Sequence, residues 1–151
     1  MLLTSPIFTN ERAIPKLYTC DGSDLNPELN ISAVPEKAQS LALIMNDPDA
    51  PAGTWIHWLV WNLPPDTKTI TEGASDAKRL PTGSVEGTTS FGKVGWGGPC
   101  PHDGEHRYYF KLFALDKKLE LPETATEPEL TAAMQGHILD QAELMGRYAR
   151  M

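Results

Sequence analysis

A histidine and two aspartates are the first residues in this chain whose spacing could support chemistry. His57 lies in the apolar run of residues 53–64, which follows the acidic, proline-stiffened turn Asp47-Pro-Asp-Ala-Pro51. An imidazole among apolar residues costs free energy unless its ring nitrogens find hydrogen-bond partners. The nearest carboxylates are Asp47 and Asp49, so we predict that Asp47 pairs with His57. The alternative is a core histidine that bonds to backbone carbonyls, with the aspartates serving only a turn.

A second histidine lies between a loop and a strand. Residues 83–104 are rich in glycine, and His106 follows them directly. Glycine lets backbone N–H groups approach a ligand closely, and a long loop of this kind in a small domain is usually functional. Residues 107–115 then alternate, so that one face carries Tyr108, Phe110, Leu112 and Ala114. Two strands that each bring a histidine to a loop predict one convergent polar site.

The elements that must position these histidines are strands. Residues 41–45 form a continuous apolar run that ends beside Asp47, and residues 55–62 are apolar on both faces, as in strands buried on both sides. The last predicted element is a helix that begins with the capping-box spacing of Thr126 and Glu129. Its apolar stripe would contain Leu130, Met134, His137, Ile138, Gln141 and Met145. We assign His137 to packing, and we expect a break or close packing at Gly136 and Gly146.

Length and composition set the fold class. A chain of 151 residues fits one domain, residues 1–151, and its 13 prolines and 12 glycines favour many turns and short strands. We predict a mainly β protein, namely a β-sandwich with short peripheral helices near the C-terminus. So small a domain is not expected to cover all of Trp58, Trp61 and the face of Tyr109, which suggests a homodimer.

Charge and hydropathy exclude several partners and locations. The formal net charge of −7 argues against a nucleic-acid or anionic-membrane surface, which needs clustered Lys and Arg. No apolar run is long enough to span a bilayer, and the start lacks a signal-peptide pattern, so we expect a cytoplasmic protein without stable membrane insertion. Cys20 and Cys100 are too few for a disulfide framework. A reducing compartment favours free thiols, although one bridge stays open.

Some residues of the chain could also support catalysis. Asp47, His57 and His106 could serve a small hydrolase or a metal-dependent enzyme, but the chain lacks a nucleophile elbow, a dinucleotide fingerprint and a His-Glu-x-x-His motif. Cys100 near His102 or His106 could be a thiol nucleophile, yet prolines flank it. A zinc site would draw on Cys20, Cys100, His102 and His106, whose spacings match no standard pattern. We therefore expect no catalysis, no metal and no cofactor.

A phosphate-loop spacing in the glycine-rich segment is also weak. Residues 87–93 carry the glycines and the lysine of such a loop, but Val94 stands where a magnesium-binding Ser or Thr belongs. No apolar strand precedes the segment. Nucleotide binding by this loop is accordingly not predicted.

Three separated motifs together resemble a known family. Asp47-Pro-Asp-Ala-Pro51 with Trp55-Ile-His57, Gly98-Pro-Cys-Pro101, and Gly104-Glu-His-Arg-Tyr108 are similar, in this order, to those of the phosphatidylethanolamine-binding proteins, also called Raf kinase inhibitor proteins. The resemblance covers nearly the whole chain, and residues 19–22 and 136–139 resemble its short bacterial and archaeal branch. It implies an antiparallel Greek-key β-sandwich.

The family resemblance also implies a site and a class of ligand. The ligand would be phosphate, a phosphorylated head group or an acetate-like ion, and a partner would be a protein kinase or protease whose activity the protein modulates. Matched motif by motif, the pocket residues are Asp47, His57, Pro99, His106 and Tyr108, and the wall residues are Ala50, Pro51, Trp55 and Gly98. We expect Asp47 to favour the imidazolium form of His57, so that an anion binds more tightly as the pH falls.

Overall fold

Two β-sheets and one short helix make up the structure, a computed structural model that describes residues 1–150. The elements are β1 (Leu2–Thr4), β2 (Arg12–Ala13), a 3-10 turn (Lys16–Tyr18), β3 (Leu29–Ser32), β4 (Ser40–Asp47), β5 (Trp55–Leu63), β6 (Thr69–Ile70), β7 (Val85–Glu86), β8 (Glu105–Leu115), α1 (Glu127–Met134) and β9 (Ile138–Ala149). The smaller sheet has the strand order β1-β3-β6, and the larger has the order β2-β9-β8-β4-β5-β7. All pairs are antiparallel except β2 with β9, which is parallel. The predicted mainly β class is confirmed.

The larger sheet has an apolar layer on each face. Between the two sheets lies the main core, to which the smaller sheet contributes Leu29 and Ile31 and the larger sheet contributes Leu43 and Phe110. The opposite face of the larger sheet is covered by α1, whose Leu130 packs with the second apolar cluster. Central strands β4 and β5 are therefore buried on both sides, as their continuous apolar sequences predicted.

The tryptophans that suggested a homodimer are covered within the single chain. Trp58 belongs to the core between the sheets, Trp61 belongs to the cluster under α1, and neither is exposed to solvent. Tyr109 is partly buried, and the cationic groups of Arg107 and Lys111 lie 5.8 and 5.7 Å from the centroid of its ring. The two tryptophans therefore give no support to a homodimer, which stays a prediction.

The predicted C-terminal helix is correct at its start and wrong at its end. The backbone N–H of Thr126 donates to Oε1 of Glu129 at 3.2 Å, as the capping box requires. The helix then ends at Met134, and Gly136 adopts a left-handed φ of +82° that stops it. Residues 138–145, predicted as helix, belong to β9, which pairs along almost all of β8. Long-range strand pairing outweighs the chance helical spacing of the apolar residues.

The described residues 1–150 contain no helix with the length and apolar character needed to cross a membrane.

The close packing expected at Gly146 is present, and it gives a stability prediction. A Cβ atom there would lie 2.4 Å from Cγ1 of Ile14 and 2.8 Å from Cε2 of Phe8, and both neighbours are buried. Gly146→Ala should lower the free energy of unfolding by about 1–3 kcal/mol, because the core cannot yield enough space. Gln141→Ala, on the exposed part of the same strand, should change it by less than about 0.5 kcal/mol. Urea unfolding measures both, and an unchanged Gly146→Ala midpoint would contradict this packing.

Candidate functional site

A cavity of about 300 Å³ lies where β4, β5 and β8 meet the loops at their ends. Two buried histidines and one buried aspartate, His57, His106 and Asp47, lie in its wall. Its lining consists of Asp47, Ala50, Pro51, Ala52, Trp55, His57, Phe91, Cys100, Pro101, His102, His106 and Tyr108. The structure thus gathers seven of the nine predicted site residues around one cavity.

A β-bulge directs His57 into this cavity. In the pairing of β4 with β5, Met45 faces Trp58 and Asn46 faces Ile56, so His57 is an extra residue between two paired positions. Bulges of this kind redirect a side chain and are frequent beside functional sites. The simple two-residue alternation predicted for β5 therefore changes phase at the histidine.

The hydrogen bond of His57 goes to backbone and not to an aspartate. Its Nδ1 lies 2.7 Å from the carbonyl oxygen of Gly97, in the glycine-rich loop. Burial lowers the pKa of His57 below its usual value, and the carbonyl and the nearby charge of Asp47 oppose that shift only in part. The neutral imidazole is accordingly the favoured form in the unliganded protein. The predicted pairing of Asp47 with His57 is wrong. Asp47 favours protonation of His57 as expected, but burial has the larger effect on the pKa.

Asp47 instead pairs with the other buried histidine. Its Oδ2 lies 2.7 Å from Nδ1 of His106, and its Oδ1 accepts the backbone N–H of Asp49 at 2.8 Å. The first contact crosses from the end of β4 to the start of β8, two neighbouring strands of the sheet. The sequence predicted the correct aspartate, but it could not show that β8, which carries His106, would lie beside β4.

A second carboxylate fixes the turn that forms one wall. Asp49 accepts the backbone N–H of Arg107 at 2.9 Å, and its two oxygens accept Nε and Nη2 of the same guanidinium at 2.9 and 2.8 Å. These hydrogen bonds lower the pKa of Asp49 to about 2. Two adjacent residues of β8 therefore hold the two aspartates of the turn, His106 with Asp47 and Arg107 with Asp49. These contacts fix the turn and place Pro51 at the cavity.

Tyr108 supplies a hydroxyl that stays protonated. Its side chain is almost completely buried, and burial, with a further contribution from the charge of Asp47, raises its pKa well above the usual value. The ring also meets His57 edge to face, with centroids 5.3 Å apart. Tyr108 is therefore a neutral hydrogen-bond donor across the physiological pH range.

Two exposed aromatic rings form the rim of the cavity. Trp55 and Phe91 contact each other edge to face at 5.5 Å between centroids, and Phe91 contacts His57 in the same way at 5.3 Å. Phe91 also packs on Gly97, where a Cβ atom would lie 2.4 Å from its ring. The rim thus covers the loop segment whose carbonyl holds His57.

Gly98 and Pro99, the remaining two predicted site residues, are placed behind the cavity wall. The backbone N–H of Gly98 donates to Oδ1 of Asp24 at 2.9 Å, and a Cβ atom at Gly98 would lie 2.6 Å from the carbonyl oxygen of Tyr18. The carbonyl oxygen of Pro99 accepts the backbone N–H of Cys20 at 3.1 Å. Neither residue is among those that line the cavity, and both attach the wall to the loop around residues 18–24.

A disulfide bond reinforces the same attachment. Cys20 and Cys100, 80 positions apart in the sequence, are bonded with their Cα atoms 5.4 Å apart. The expectation of free thiols is therefore wrong, because it was based only on the reducing compartment predicted for the chain. With both sulfur atoms in the bridge, the alternatives of a Cys100 nucleophile and of a zinc site with two cysteine ligands lose their thiolates. Within residues 1–150, no cluster of three or more His, Cys, Asp or Glu side chains has an arrangement suited to a metal ion.

Five lining residues were absent from the predicted site: Ala52, Phe91, Cys100, Pro101 and His102. Phe91 had a usable signal, since it is a large apolar side chain in the glycine-rich segment already identified as functional. Its loop is closed by the pairing of Thr88 with Val94. Residues 87–93, which carry the phosphate-loop spacing, therefore belong to the loop that forms the rim.

Comparisons with known proteins point to one family. The sequence profile described as phosphatidylethanolamine-binding protein matches residues 4–149. A UPF0098 protein from Methanothermobacter thermautotrophicus is 47% identical over 150 residues, which are 99% of each chain.

Two solved structures agree with this match. The crystal structure of a putative phosphatidylethanolamine-binding protein homologue from Chlamydia trachomatis is 44% identical, with a TM-score of 0.93, and the match covers 99% of this chain and 97% of that one. YbcL of Escherichia coli, described as a new member of the mammalian family, is 30% identical with a TM-score of 0.93, covering 99% and 98%. The resemblance seen in the three sequence motifs is confirmed.

The disulfide gives a direct chemical prediction. Protein unfolded without reductant should contain no reactive thiol, protein treated with a dithiol should contain two, and the Cys20→Ser variant should contain one, all by thiol titration. Loss of the bridge should lower the free energy of unfolding by about 2–5 kcal/mol, since it frees a long loop in the unfolded chain. Two reactive thiols before reduction would show that the bridge is absent.

Proposed function

Because the chain belongs to the phosphatidylethanolamine-binding protein family, we propose that it binds a small anion or a phosphorylated group in the cavity beside His57 and His106. The ligand class is phosphate, phosphoethanolamine-like head groups and similar oxyanions. The cavity volume of about 300 Å³ suits a ligand of that size.

The observation that carries this proposal is the arrangement of the two imidazoles. Each uses Nδ1 for a hydrogen bond to the protein, His57 to Gly97 and His106 to Asp47, so each has Nε2 left for a bound molecule. Tyr108 adds a neutral O–H donor in the same wall. Three polar groups held at fixed positions within an otherwise mainly apolar lining are the usual composition of a small-molecule site.

Binding is favoured over catalysis by what the lining lacks. None of its residues is a serine, a threonine or a free cysteine, so the described cavity offers no hydroxyl or thiol nucleophile other than the buried phenol of Tyr108. That phenol has a raised pKa, which makes it a poor nucleophile. A binding or inhibitory role therefore needs fewer additional assumptions than covalent chemistry.

A hydrolase is the second candidate, and one observation favours it. The buried Asp47 and His106 form a carboxylate–imidazole pair with 2.7 Å between Oδ2 and Nδ1, which is the geometry of a general base that could activate water. Release of p-nitrophenol from p-nitrophenyl phosphate, lost in His106→Ala, would decide for this candidate.

A protein kinase or a protease is the macromolecular partner that family membership suggests. The exposed rings of Trp55 and Phe91 beside the cavity provide an apolar surface on which such a partner could rest.

Substitution of either histidine tests the proposed site. Inorganic phosphate should bind in the micromolar to millimolar range, because a ligand of so few atoms gains little free energy. His57→Ala or His106→Ala should weaken binding about tenfold or more, since each removes a buried hydrogen-bonding group. His137→Ala is the matched control, because His137 bonds to Asp116 outside the cavity lining. Titration calorimetry with unchanged affinity in both cavity variants would place the site elsewhere.

A further inference from the structure

The charge of the cavity does not match that of a fully ionised anion. Its lining contains no lysine and no arginine, and it contains one carboxylate, Asp47, which is only 4% exposed. Neither Arg107 nor Lys93 lines the cavity: the first is bonded to Asp49, and the ammonium group of the second lies above the ring of Phe91 at the rim. A dianion in this cavity would meet a buried carboxylate without a lysine or an arginine to compensate, which is costly at short range in a medium of low dielectric.

The hydrogen bond of His57 determines which of its nitrogens carries the proton. A backbone carbonyl can only accept, so Nδ1, at 2.7 Å from the oxygen of Gly97, must be the protonated nitrogen. In the neutral ring, Nε2 then has a lone pair and no proton. The group that His57 offers to a ligand is therefore an acceptor, and a bare anionic oxygen cannot bond to it.

We propose that the cavity selects oxyacids that retain one O–H group, and that this O–H donates to Nε2 of His57. The preferred ligand is a phosphate monoester, or free phosphate, in its singly protonated form. This inference rests on the proposed anion-binding function and adds the protonation state of the ligand. The ionised oxygen of the same phosphate accepts the O–H of Tyr108, which turns to it from the carboxylate of Asp47. One ligand thus uses both an acceptor and a donor of the wall.

The groups around His57 are consistent with a neutral ring. Asp47 at the end of β4 and Asp24 in the loop behind the wall favour its protonation, but burial has the larger effect on its pKa and lowers it. On β8, Tyr108 is a neutral phenol beside the ring, and His106 is bonded to Asp47. His102 at the rim is exposed.

The pH dependence follows from the ligand. A phosphate monoester loses its second proton near pH 6. Below that value the bound form predominates in solution and affinity should be nearly constant. Above it, the concentration of the singly protonated form falls tenfold per pH unit, so apparent affinity should fall by the same factor as long as the protein itself does not titrate.

A matched pair of ligands tests the inference without changing the protein. Methyl phosphate at pH 5 and methyl sulfate are both monoanions of nearly the same shape, and they differ in one O–H group. Calorimetry at pH 5 should show methyl phosphate binding about tenfold or more tightly, because methyl sulfate leaves Nε2 facing an oxygen lone pair. Methyl sulfate does not titrate from pH 5 to 8, so its weak affinity should stay flat while that of methyl phosphate declines above pH 6.

Variants show whether His57 is the group that discriminates. His57→Gln offers both an amide donor and an amide acceptor, so the affinity ratio of the two ligands should fall towards one. His137→Gln, outside the cavity lining, should retain the wild-type ratio. In the wild-type complex with methyl phosphate, the nitrogen-15 resonance of His57 Nε2 should be that of an unprotonated nitrogen accepting a hydrogen bond.

Each outcome has a definite meaning. Equal affinity for methyl phosphate and methyl sulfate at pH 5, or an imidazolium resonance for His57 in the complex, overturns this inference and leaves the anion site standing. Binding of neither compound contradicts the proposed function and this inference together. Equally tight binding of dimethyl phosphate, a monoanionic diester without an O–H, would also overturn the inference, and it would favour a phospholipid diester over a monoester or free phosphate as the source of the ligand.

Discussion

The buried carboxylate of Asp47 is the constraint on which the site depends. A carboxylate removed from water needs hydrogen-bond partners, and each oxygen of Asp47 has one, Nδ1 of His106 or the N–H of Asp49. The same two contacts fix the orientation of His106 and the start of the proline-containing turn. Removing one partner of such a buried pair costs about 3–5 kcal/mol, so the pair acts as a structural anchor.

The opposite wall depends on a different set of contacts. Gly97 offers its carbonyl to His57, Gly98 is bound to Asp24, and Cys100 is joined to Cys20 by the disulfide. These contacts attach the glycine-rich segment to the loop before β3, which keeps the carbonyl in place. One histidine is therefore oriented by a side-chain carboxylate and the other by backbone, and this difference explains why the two imidazoles need not play the same role.

Much of the fold could be predicted from the sequence because its strands carry strong local signals. The apolar run before Asp47 and the alternation after His106 became β4 and β8. The long helix predicted after Thr126 failed at Gly136, because helical spacing in residues 138–145 is weaker than pairing with β8, which local patterns do not reveal. Gly136 itself gave the correct signal, and its left-handed backbone is where the helix stops.

The sequence predicted which residues form the site better than it predicted which of them bond to each other. The motifs identified Asp47, His57, His106 and Tyr108, but which imidazole the carboxylate would meet depends on strand order, and which side His57 faces depends on a bulge. Neither is encoded in a short stretch of sequence. The disulfide was missed for another reason, since the prediction relied on an assumed compartment and not on the two loops that the cysteines join.

The central claim is that this cavity, and no other surface of the described chain, holds an oxyacid through the two imidazoles. A crystal structure of the protein soaked with methyl phosphate tests it most directly. We expect phosphate density in the cavity, with oxygens about 2.6–3.2 Å from Nε2 of His57, from Nε2 of His106 and from the hydroxyl of Tyr108. Density in the polar groove beside Lys78 and Glu86, with none against His57, would contradict it.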